Sequence, residues 1–241
     1  MERGIVDIHC HILPGVDDGA NGMNEAYKLL RLEHQQGVRD IILTPHFRSG
    51  MFETDRDRIR ERFRELAGNL KNVGIDVRLY LGCELHQCED MIERLESDPA
   101  YTLAESDYVL TEFSEKDSAE QIERCITELL HHGYIPVIAH VERYPAMCDI
   151  KQIRHIVEVG AYIQVNAGSL LGREGWHSRR FTGKLLSKGY IHFIGSDAHD
   201  LRRRTPCMDE CEAFLVKKTG KANAEKLLME NPYKILTNEK L

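Results

Sequence analysis

Residues 6–19 read VDIHCHILPGVDDG, a short apolar run that ends in two histidines one residue apart. Because successive side chains of a β-strand point to opposite faces, His9 and His11 are expected to project to the same side. This arrangement is typical of a metal site, but histidines also serve as hydrogen-bonded core residues, so the pair alone decides little. The assignment depends on what the other strands of the chain supply.

Six further runs with strand character follow, and segments with helical spacing lie between most of them. One predicted helix carries Ile59, Phe63, Leu66 and Leu70 along a single face. Alternating strands and helices predict a parallel α/β sheet, and a chain of 241 residues has the size of a single barrel. An open doubly wound sheet is the structural alternative. The predicted strands are residues 5–9, 40–44, 77–81, 108–112, 135–140, 162–166 and 191–195.

The composition predicts a single folded domain over residues 1–241, since 42% of the residues are hydrophobic, 29% are charged and no linker interrupts them. A formal net charge of -7 disfavours a general nucleic-acid or anionic-membrane binder. We expect a cytoplasmic protein without membrane insertion, because neither a signal-like segment nor a spanning apolar run is present. Seven cysteines without paired Cys-x-x-Cys motifs predict reduced thiols.

Histidines and carboxylates follow six of the seven predicted strands. In a parallel barrel the carboxyl ends of the strands meet at one rim, where active sites form. Any one of these residues is more simply explained as a solvated loop residue, but the joint pattern is hard to attribute to chance. In chain order, the rim receives His9, His11, Asp18, His46, Glu84, Glu112, His140, Asp197 and His199.

This set of nine residues exceeds what one ion can use, so the pattern predicts two or three clustered divalent metals. Imidazole and carboxylate ligands without thiolate suit Mn, Fe, Zn or Co better than Ca or Mg, and manganese is our first choice. The remaining histidines are expected to be structural or solvated. They are His34, His86, His131, His132, His155, His177 and His192.

Clustered metals favour phosphoester hydrolysis as the reaction, because they activate water near neutral pH and hold the oxygens of an in-line displacement at phosphorus. Cations for the phosphate lie nearby in the sequence, at Arg143 and in the arginine run 202–204, where two of the three are expected to be solvated. Cysteine-based phosphatase chemistry is not expected. The two Cys-x5-Arg matches, which begin at Cys88 and Cys148, lack glycine and lie on predicted helices.

Several motifs together resemble the PHP (polymerase and histidinol phosphatase) superfamily. Within it, they are most similar to the bacterial manganese-dependent protein tyrosine phosphatases encoded with capsule and exopolysaccharide synthesis genes. The resemblance runs in order from residue 5 to the NPYKIL segment at 231–236. Its motifs are VDDG at 16–19, TPH at 44–46, GMFET at 50–54, GCE at 82–84, LTEF at 110–113, HVERY at 140–144 and SDAH at 196–199.

The resemblance implies a distorted seven-stranded (β/α) TIM-like barrel, the PHP fold, with a trinuclear metal site. It also implies that Arg143 and Arg204 bind the phosphate. By position, one metal would be held by His9, His11, Glu84 and Asp197, a second by Glu84, Glu112 and His140, and a third by Asp18, His46 and His199.

The substrate implied by the resemblance is phosphotyrosine in the flexible tail of a bacterial tyrosine kinase that controls polysaccharide export. We expect Phe52 and Tyr144 to contact the phosphotyrosine ring, with ordinary loop packing as the alternative. The sequence does not identify the general acid, since a tyrosinate leaving group with a pKa near 10 needs little more than a metal or a protonated His199.

Other functions compete with this interpretation. A PHP phosphatase of a small metabolite such as histidinol phosphate would use the same metals in a deep closed pocket rather than at an open rim. A non-catalytic metal-dependent regulator predicts an incomplete ligand set, whereas all nine positions are filled. A PHP exonuclease is disfavoured by the lack of a basic track.

Overall fold

The fold is a parallel sheet whose strands alternate with helices along the chain. The computed structural model describes residues 4–241, and every pairing between the strands of that range is parallel. The strands are β1 (Ile5–Cys10), β2 (Val38–Leu43), β3 (His46–Phe47), β4 (Arg78–Leu81), β5 (Glu84–His86), β6 (Tyr108–Glu112), β7 (Ile135–Ile138), β8 (Tyr162–Asn166) and β9 (Phe193–Gly195).

Helices connect most consecutive strands, and several begin at a side chain that accepts backbone hydrogen bonds. Ser118 and Gln121 form a reciprocal capping box at the start of one of them. Among the described residues, no helix is long and apolar enough to cross a membrane. The helices are α1 (Met23–Gln35), α2 (Arg56–Asn69), α3 (Met91–Ser97), α4 (Ala119–His131), α5 (Ile150–Val159), α6 (Ala167–Leu171), α7 (Trp176–Lys188), α8 (Met208–Thr219), α9 (Lys221–Glu225) and α10 (Asn231–Leu236).

The sheet curls so that its first and last strands lie side by side. Strands β1, β2 and β4 pair in that order, and β3, β5, β6, β7, β8 and β9 form a second ladder. β9 returns to β1, where Asp197 N–H donates to the His9 carbonyl and His11 N–H donates to the Ala198 carbonyl, each at 2.8 Å. These bonds bring the ends of β1 and β9, and the polar residues that follow them, to one place.

All seven predicted strands are present at least in part, and two of them are followed by a short additional strand. β3 follows β2 after a break at residues 44–45, β5 follows β4 after a break at residues 82–83, and the β3–β5 pairing keeps the register of the β2–β4 pairing. Pro45 has no N–H to donate, which interrupts the ladder. A Cβ at Gly82 would lie 2.9 Å from Ile42 Cγ2, so glycine permits a close approach at the second break. The short strands after the breaks were not predicted, and they carry two of the predicted ligands.

The carboxyl-terminal segment contains α9 and α10 joined by a π-helical turn at Lys226–Glu230. Asn231 N–H donates to the Lys226 carbonyl, and the next residue, Pro232, has no N–H. The chain therefore accommodates the proline by widening one turn instead of ending the helix.

The apolar core has a large and a small part. The large cluster packs the helices against the outer side of the sheet. The small cluster includes residues at the amino ends of several strands, such as Tyr108, Ile135 and Phe193, together with Ile235 of α10. Apolar packing therefore occupies the amino ends of these strands, and the polar residues gather at the carboxyl ends.

Candidate metal centre

The nine predicted ligands lie together at the carboxyl ends of the strands. They come from β1 and the loop after it, from β3, β5 and β6, and from residues just after β7 and β9. In the β3–β5 register His46 lies opposite Glu84, so two ligands meet across neighbouring strands. Most of the nine are buried, while His46 and Glu112 are half-buried and Asp18 is exposed. The site therefore has a closed interior and one side open to solvent.

Three groups of these side chains have ligand atoms within 4.8 Å of one another, which is close enough for a metal ion each. His46 belongs to two groups, because its Nε2 lies 3.5 Å from Asp18 and its Nδ1 lies 3.0 Å from Glu84. The resemblance placed His46 in one set only. The three groups are His11, Asp18, His46 and His199; His9, His11 and Glu84; and His46, Glu84 and Glu112.

Glu84 lies at the middle of the centre. Its Oε2 is 3.2 Å from His9 Nε2, 3.1 Å from His11 Nε2 and 3.0 Å from His46 Nδ1, and its Oε1 is 2.6 Å from His140 Nε2. Because imidazole nitrogens lie beside both of its oxygens, Glu84 could contribute to more than one metal site. Its buried position on β5 makes it the shared member of the cluster.

The two histidines of the first strand are oriented by partners on their outer nitrogens. His11 Nδ1–H donates to Asp17 Oδ2 at 2.8 Å, and His9 Nδ1–H donates to Gln164 Oε1 at 3.2 Å. In each neutral ring, Nε2 therefore presents a lone pair to the centre. Asp17 and Gln164 were missed by the sequence analysis, although Asp17 stands in the same VDDG motif as Asp18.

Four acceptor atoms consequently converge with no donor between them. His9 Nε2 and His11 Nε2 are 3.3 Å apart, and Asp197 Oδ1 lies 3.5 and 3.6 Å from them, beside Glu84 Oε2. Among the described residues, Asp197 Oδ1 and Glu84 Oε2 are buried and have no hydrogen-bond partner, and the same holds for Nδ1 of His46 and Nε2 of His199. Converging buried acceptors require a cation or added protons, so the residues present fit a divalent metal.

The pKa values in the centre show how its charges are balanced. Burial opposes ionisation of Glu84, yet His9 and His46 hold the pKa of this carboxyl well below its usual range. Burial and the charge of Glu84 raise the pKa of Glu112 to about 8. Burial disfavours the charged form of His11, but Asp17 and Glu84 outweigh it and raise the pKa of His11 to about 10. Protons on Glu112 and His11 thus offset buried negative charge that a cation would otherwise balance.

Asp197 links the centre to the two predicted phosphate-binding arginines. Its Oδ2 accepts from Arg204 Nη2 at 2.6 Å and from Asn166 Nδ2 at 2.8 Å, and Arg143 Nη2 lies 2.8 Å away. Three donors on Oδ2 leave Oδ1 free to face the histidines. Among the arginines of the run, Arg204 reaches the centre while residues 202 and 203 are exposed, as expected for two of the three.

Phe52 and Tyr144, the two residues predicted to contact the phosphotyrosine ring, lie in different environments. The Phe52 ring stacks on His46 with centroids 5.1 Å apart and is half-buried at the edge of the centre. Tyr144 is 2% exposed, and its hydroxyl lies 3.1 Å from His140 Nδ1 and accepts from Phe113 N–H at 3.2 Å. A substrate ring cannot reach a residue buried behind His140, which corrects the expectation for Tyr144.

Cysteines take no part in the centre. All seven are free thiols, and Cys88 and Cys148, which begin the two Cys-x5-Arg matches, lie just before α3 and α5. Burial raises the pKa of both thiols, that of Cys88 to about 11. A nucleophilic thiolate is therefore not available at either match.

The curled parallel sheet and the histidine and carboxylate cluster at the carboxyl ends of its strands define an α/β metal-binding protein. A family model described as capsular polysaccharide synthesis, CpsB/CapC, matches residues 5–237. The chain therefore belongs to the CpsB/CapC family, as the resemblance indicated.

Relatives and a solved structure agree with this assignment. The chain is 35% identical to tyrosine-protein phosphatase CpsB of Streptococcus pneumoniae, over 98% of this chain and 99% of the relative. It is 33% identical to tyrosine-protein phosphatase YwqE of Bacillus subtilis, over 98% and 92% of the two chains. A crystal structure from work on YwqE of B. subtilis and CpsB of S. pneumoniae, described as unique metal-dependent tyrosine phosphatases, superposes with a TM-score of 0.92 and 32% identity, over 98% and 96%.

Proposed function

We propose that this protein is a metal-dependent protein tyrosine phosphatase that hydrolyses phosphotyrosine in a protein substrate. The observation that carries the proposal is the convergence of four buried acceptor atoms beside two arginines, with Asp197 shared between them. The acceptor atoms are suited to coordinate metal ions, and the two arginines are suited to bind a phosphate group. Relatives over nearly the whole chain bear the name tyrosine-protein phosphatase.

The proposed ligands fall into three sets, with manganese as the first choice and Fe, Zn or Co as alternatives. Distances support Glu84 as the shared residue of this assignment, and they add His46 as a neighbour of Glu84 and His11 as a neighbour of Asp18, His46 and His199. The sets are His9, His11, Glu84 and Asp197; Glu84, Glu112 and His140; and Asp18, His46 and His199.

Divalent metals held by these residues would supply Lewis-acid stabilisation and an activated water for attack at phosphorus. The chain's own residues do the positioning. Arg143 and Arg204 bind phosphate oxygens. Asp197 forms ion pairs with both guanidinium groups and thereby fixes the positions of the two arginines. Phe52, at the open edge, packs against the phosphotyrosine ring.

Proton transfer to the leaving oxygen is a minor requirement in this proposal. Burial and the neighbouring His11 lower the pKa of His199, so the ring is neutral at neutral pH and suits a ligand role better than that of general acid. A tyrosinate with a pKa near 10 is a moderately good leaving group and departs with little protonation.

The proposed partner is the phosphotyrosine tail of a bacterial tyrosine kinase, in the cytoplasm, with a role in capsular or exopolysaccharide synthesis. This partner follows from the resemblance and agrees with the family description. The half-exposed side of the centre, at His46, Glu112 and Asp18, suits a flexible segment that enters from solvent.

We also propose that residues 1–241 form one domain, built as a distorted seven-stranded barrel. Support comes from the register that the β2–β4 and β3–β5 pairings share, so that β2 with β3 and β4 with β5 count as single units and the nine strand segments become seven. The bridge between Cys10 and Ala198 supports closure between β9 and β1.

The test is hydrolysis by metal-stripped protein to which Mn²⁺ is restored, with a tyrosine-phosphorylated kinase-tail peptide and histidinol phosphate assayed in parallel. We expect manganese-dependent turnover of the peptide alone and its loss in His140→Ala. The matched control His155→Ala alters an exposed histidine on α5 and should retain activity. Turnover of histidinol phosphate alone would overturn the substrate, and turnover of neither would overturn the enzyme.

A further inference from the structure

We propose that Glu174 is a positioning residue that holds the Arg143 guanidinium for phosphate binding. This inference rests on the proposed phosphatase function and deepens it. Glu174 lies in the loop between α6 and α7, far in sequence from every predicted site residue. The fold brings it into contact with Arg143. Its Oε2 accepts from Arg143 Nη2 at 3.0 Å and from Arg143 Nε at 3.3 Å.

The second oxygen of Glu174 is also engaged. Oε1 accepts from Asn166 Nδ2 at 3.1 Å, and the same amide donates to Asp197 Oδ2 at 2.8 Å. Glu174 therefore contacts two of the three donors that surround Asp197 Oδ2. A carboxylate with both oxygens bound in this way has one geometry, so it constrains Arg143 more than a single surface ion pair would.

The loop that carries Glu174 is shaped for this contact. Arg173 N–H donates to the Gly168 carbonyl at 2.8 Å, which ties the loop to α6. A Cβ at Gly168 would lie only 3.2 Å from Glu174 Oε1, so glycine leaves room for the carboxylate. Gly172 and Gly175 on either side have φ of 87° and 104°, which L side chains rarely adopt.

The contacts determine which part of Arg143 is available. Both carboxylates, Glu174 and Asp197, are reached through Nε and Nη2. Within residues 4–241 these contacts do not engage the N–H groups on Nη1, which can therefore donate to a phosphate oxygen. Without Glu174, Arg143 keeps one anchor at Asp197 and its long side chain regains rotamer freedom, which weakens phosphate binding.

The experiment measures binding of inorganic phosphate to the Mn²⁺-loaded protein by calorimetry, and KM and kcat on the phosphotyrosine peptide. We expect Glu174→Ala to weaken phosphate binding and raise KM by on the order of tenfold, with a smaller change in kcat. Glu174→Gln, which keeps an acceptor oxygen, should lose on the order of threefold. The control Glu210→Ala breaks the 2.8 Å pair that Arg173 of the same loop makes with α8, and it should leave both constants unchanged.

A double-mutant cycle with Arg143→Ala separates positioning from a general structural role. We expect Glu174→Ala to add little once Arg143 is gone, and manganese content to stay the same in all variants. An undiminished phosphate affinity in Glu174→Ala, or an equal loss with and without Arg143, would overturn the inference. If the wild-type protein binds phosphate but does not hydrolyse the peptide, the phosphatase proposal fails while the calorimetry still decides the role of Glu174.

Discussion

Two regions next to β1 bury carboxyl groups, and they treat the charge in opposite ways. In the metal centre, Glu84 and Asp197 have pKa values held well below the usual range despite burial. The second region consists of Asp7 of β1 and Glu33 of α1. Both carboxyl groups are also buried, and burial raises the pKa of each. Burial alone therefore does not determine the protonation state.

The difference lies in the neighbours. Asp197 faces two arginines and Glu84 faces four imidazoles, and these stabilise the ionised forms. Among residues 4–241, Asp7 accepts only from neutral donors, the N–H and hydroxyl of Ser196 and the N–H of His9, and neither Glu33 oxygen has a hydrogen-bond partner. The first region therefore favours ionised carboxylates, which suit a cation, and the second region favours protonated carboxyl groups.

The largest effect is expected from removing a charge in the first region. Asp197→Asn deletes a ligand charge and the acceptor for both arginines, so we expect kcat/KM on the phosphotyrosine peptide to fall by about a thousandfold or more, with loss of bound manganese. Asp149→Asn, at the N-cap of α5 where asparagine caps equally well, is the matched control. Retained metal and activity in Asp197→Asn would contradict the comparison.

A smaller loss is expected at the arginines. Arg204→Ala removes a charge-assisted hydrogen bond and a phosphate contact, for which we expect a tenfold to hundredfold fall in kcat/KM, or about 1.5–3 kcal/mol. Arg203→Ala removes the same charge one residue away on an exposed side chain and should change kcat/KM by less than about twofold. Equal losses in the two variants would show that Arg204 acts through net charge rather than position.

A smaller effect, on metal affinity, is expected at Tyr144, because this residue contacts the predicted ligand His140. Tyr144→Phe keeps the ring but removes the hydroxyl beside His140, so we expect manganese affinity to fall by about tenfold while peptide KM at saturating metal is unchanged. Tyr190→Phe, half-buried just after α7, is the control. A rise in KM without a change in metal affinity would return Tyr144 to a substrate-contact role.

The smallest effect concerns the second region and pH. Because burial raises the pKa of Glu33 above 4.5, the folded protein keeps a proton that the unfolded chain releases. The free energy of unfolding should therefore decrease as the pH rises above about 4.5, by up to about 1.4 kcal/mol per pH unit. Glu33→Gln should remove this part of the slope and be more stable than wild type at pH 8.

Urea denaturation at several pH values, at constant metal concentration, measures this difference. Glu128→Gln, exposed on α4, should leave the slope unchanged. A Glu33→Gln slope equal to that of wild type would mean that Glu33 is ionised in the folded state, and the contrast between the two regions would be lost.

Much of this arrangement could be predicted from the sequence, because strand ends and ligand types are local signals. The His-x-His pair, TPH, GCE and SDAH each follow an apolar run, and the parallel topology then brings them to one edge. The predicted ligands therefore needed no knowledge of side-chain packing.

The supporting residues could not be predicted in the same way. Gln164 and Asn166 lie on β8, the strand for which no histidine or carboxylate was found, and they supply amides instead. Their i,i+2 spacing on a strand was the available signal. Glu174 is connected to Arg143 only through the tertiary fold, and the burial of Tyr144 depends on the turn after β7, where His140 takes a φ of 30°.

The most direct measurement titrates Mn²⁺ into the metal-stripped protein while bound manganese per chain and phosphotyrosine-peptide hydrolysis are recorded together. The expected result is two or three ions bound per chain, with activity that appears only as these sites fill. Full hydrolysis by the metal-free protein, or saturation with bound manganese and no hydrolysis, would contradict it.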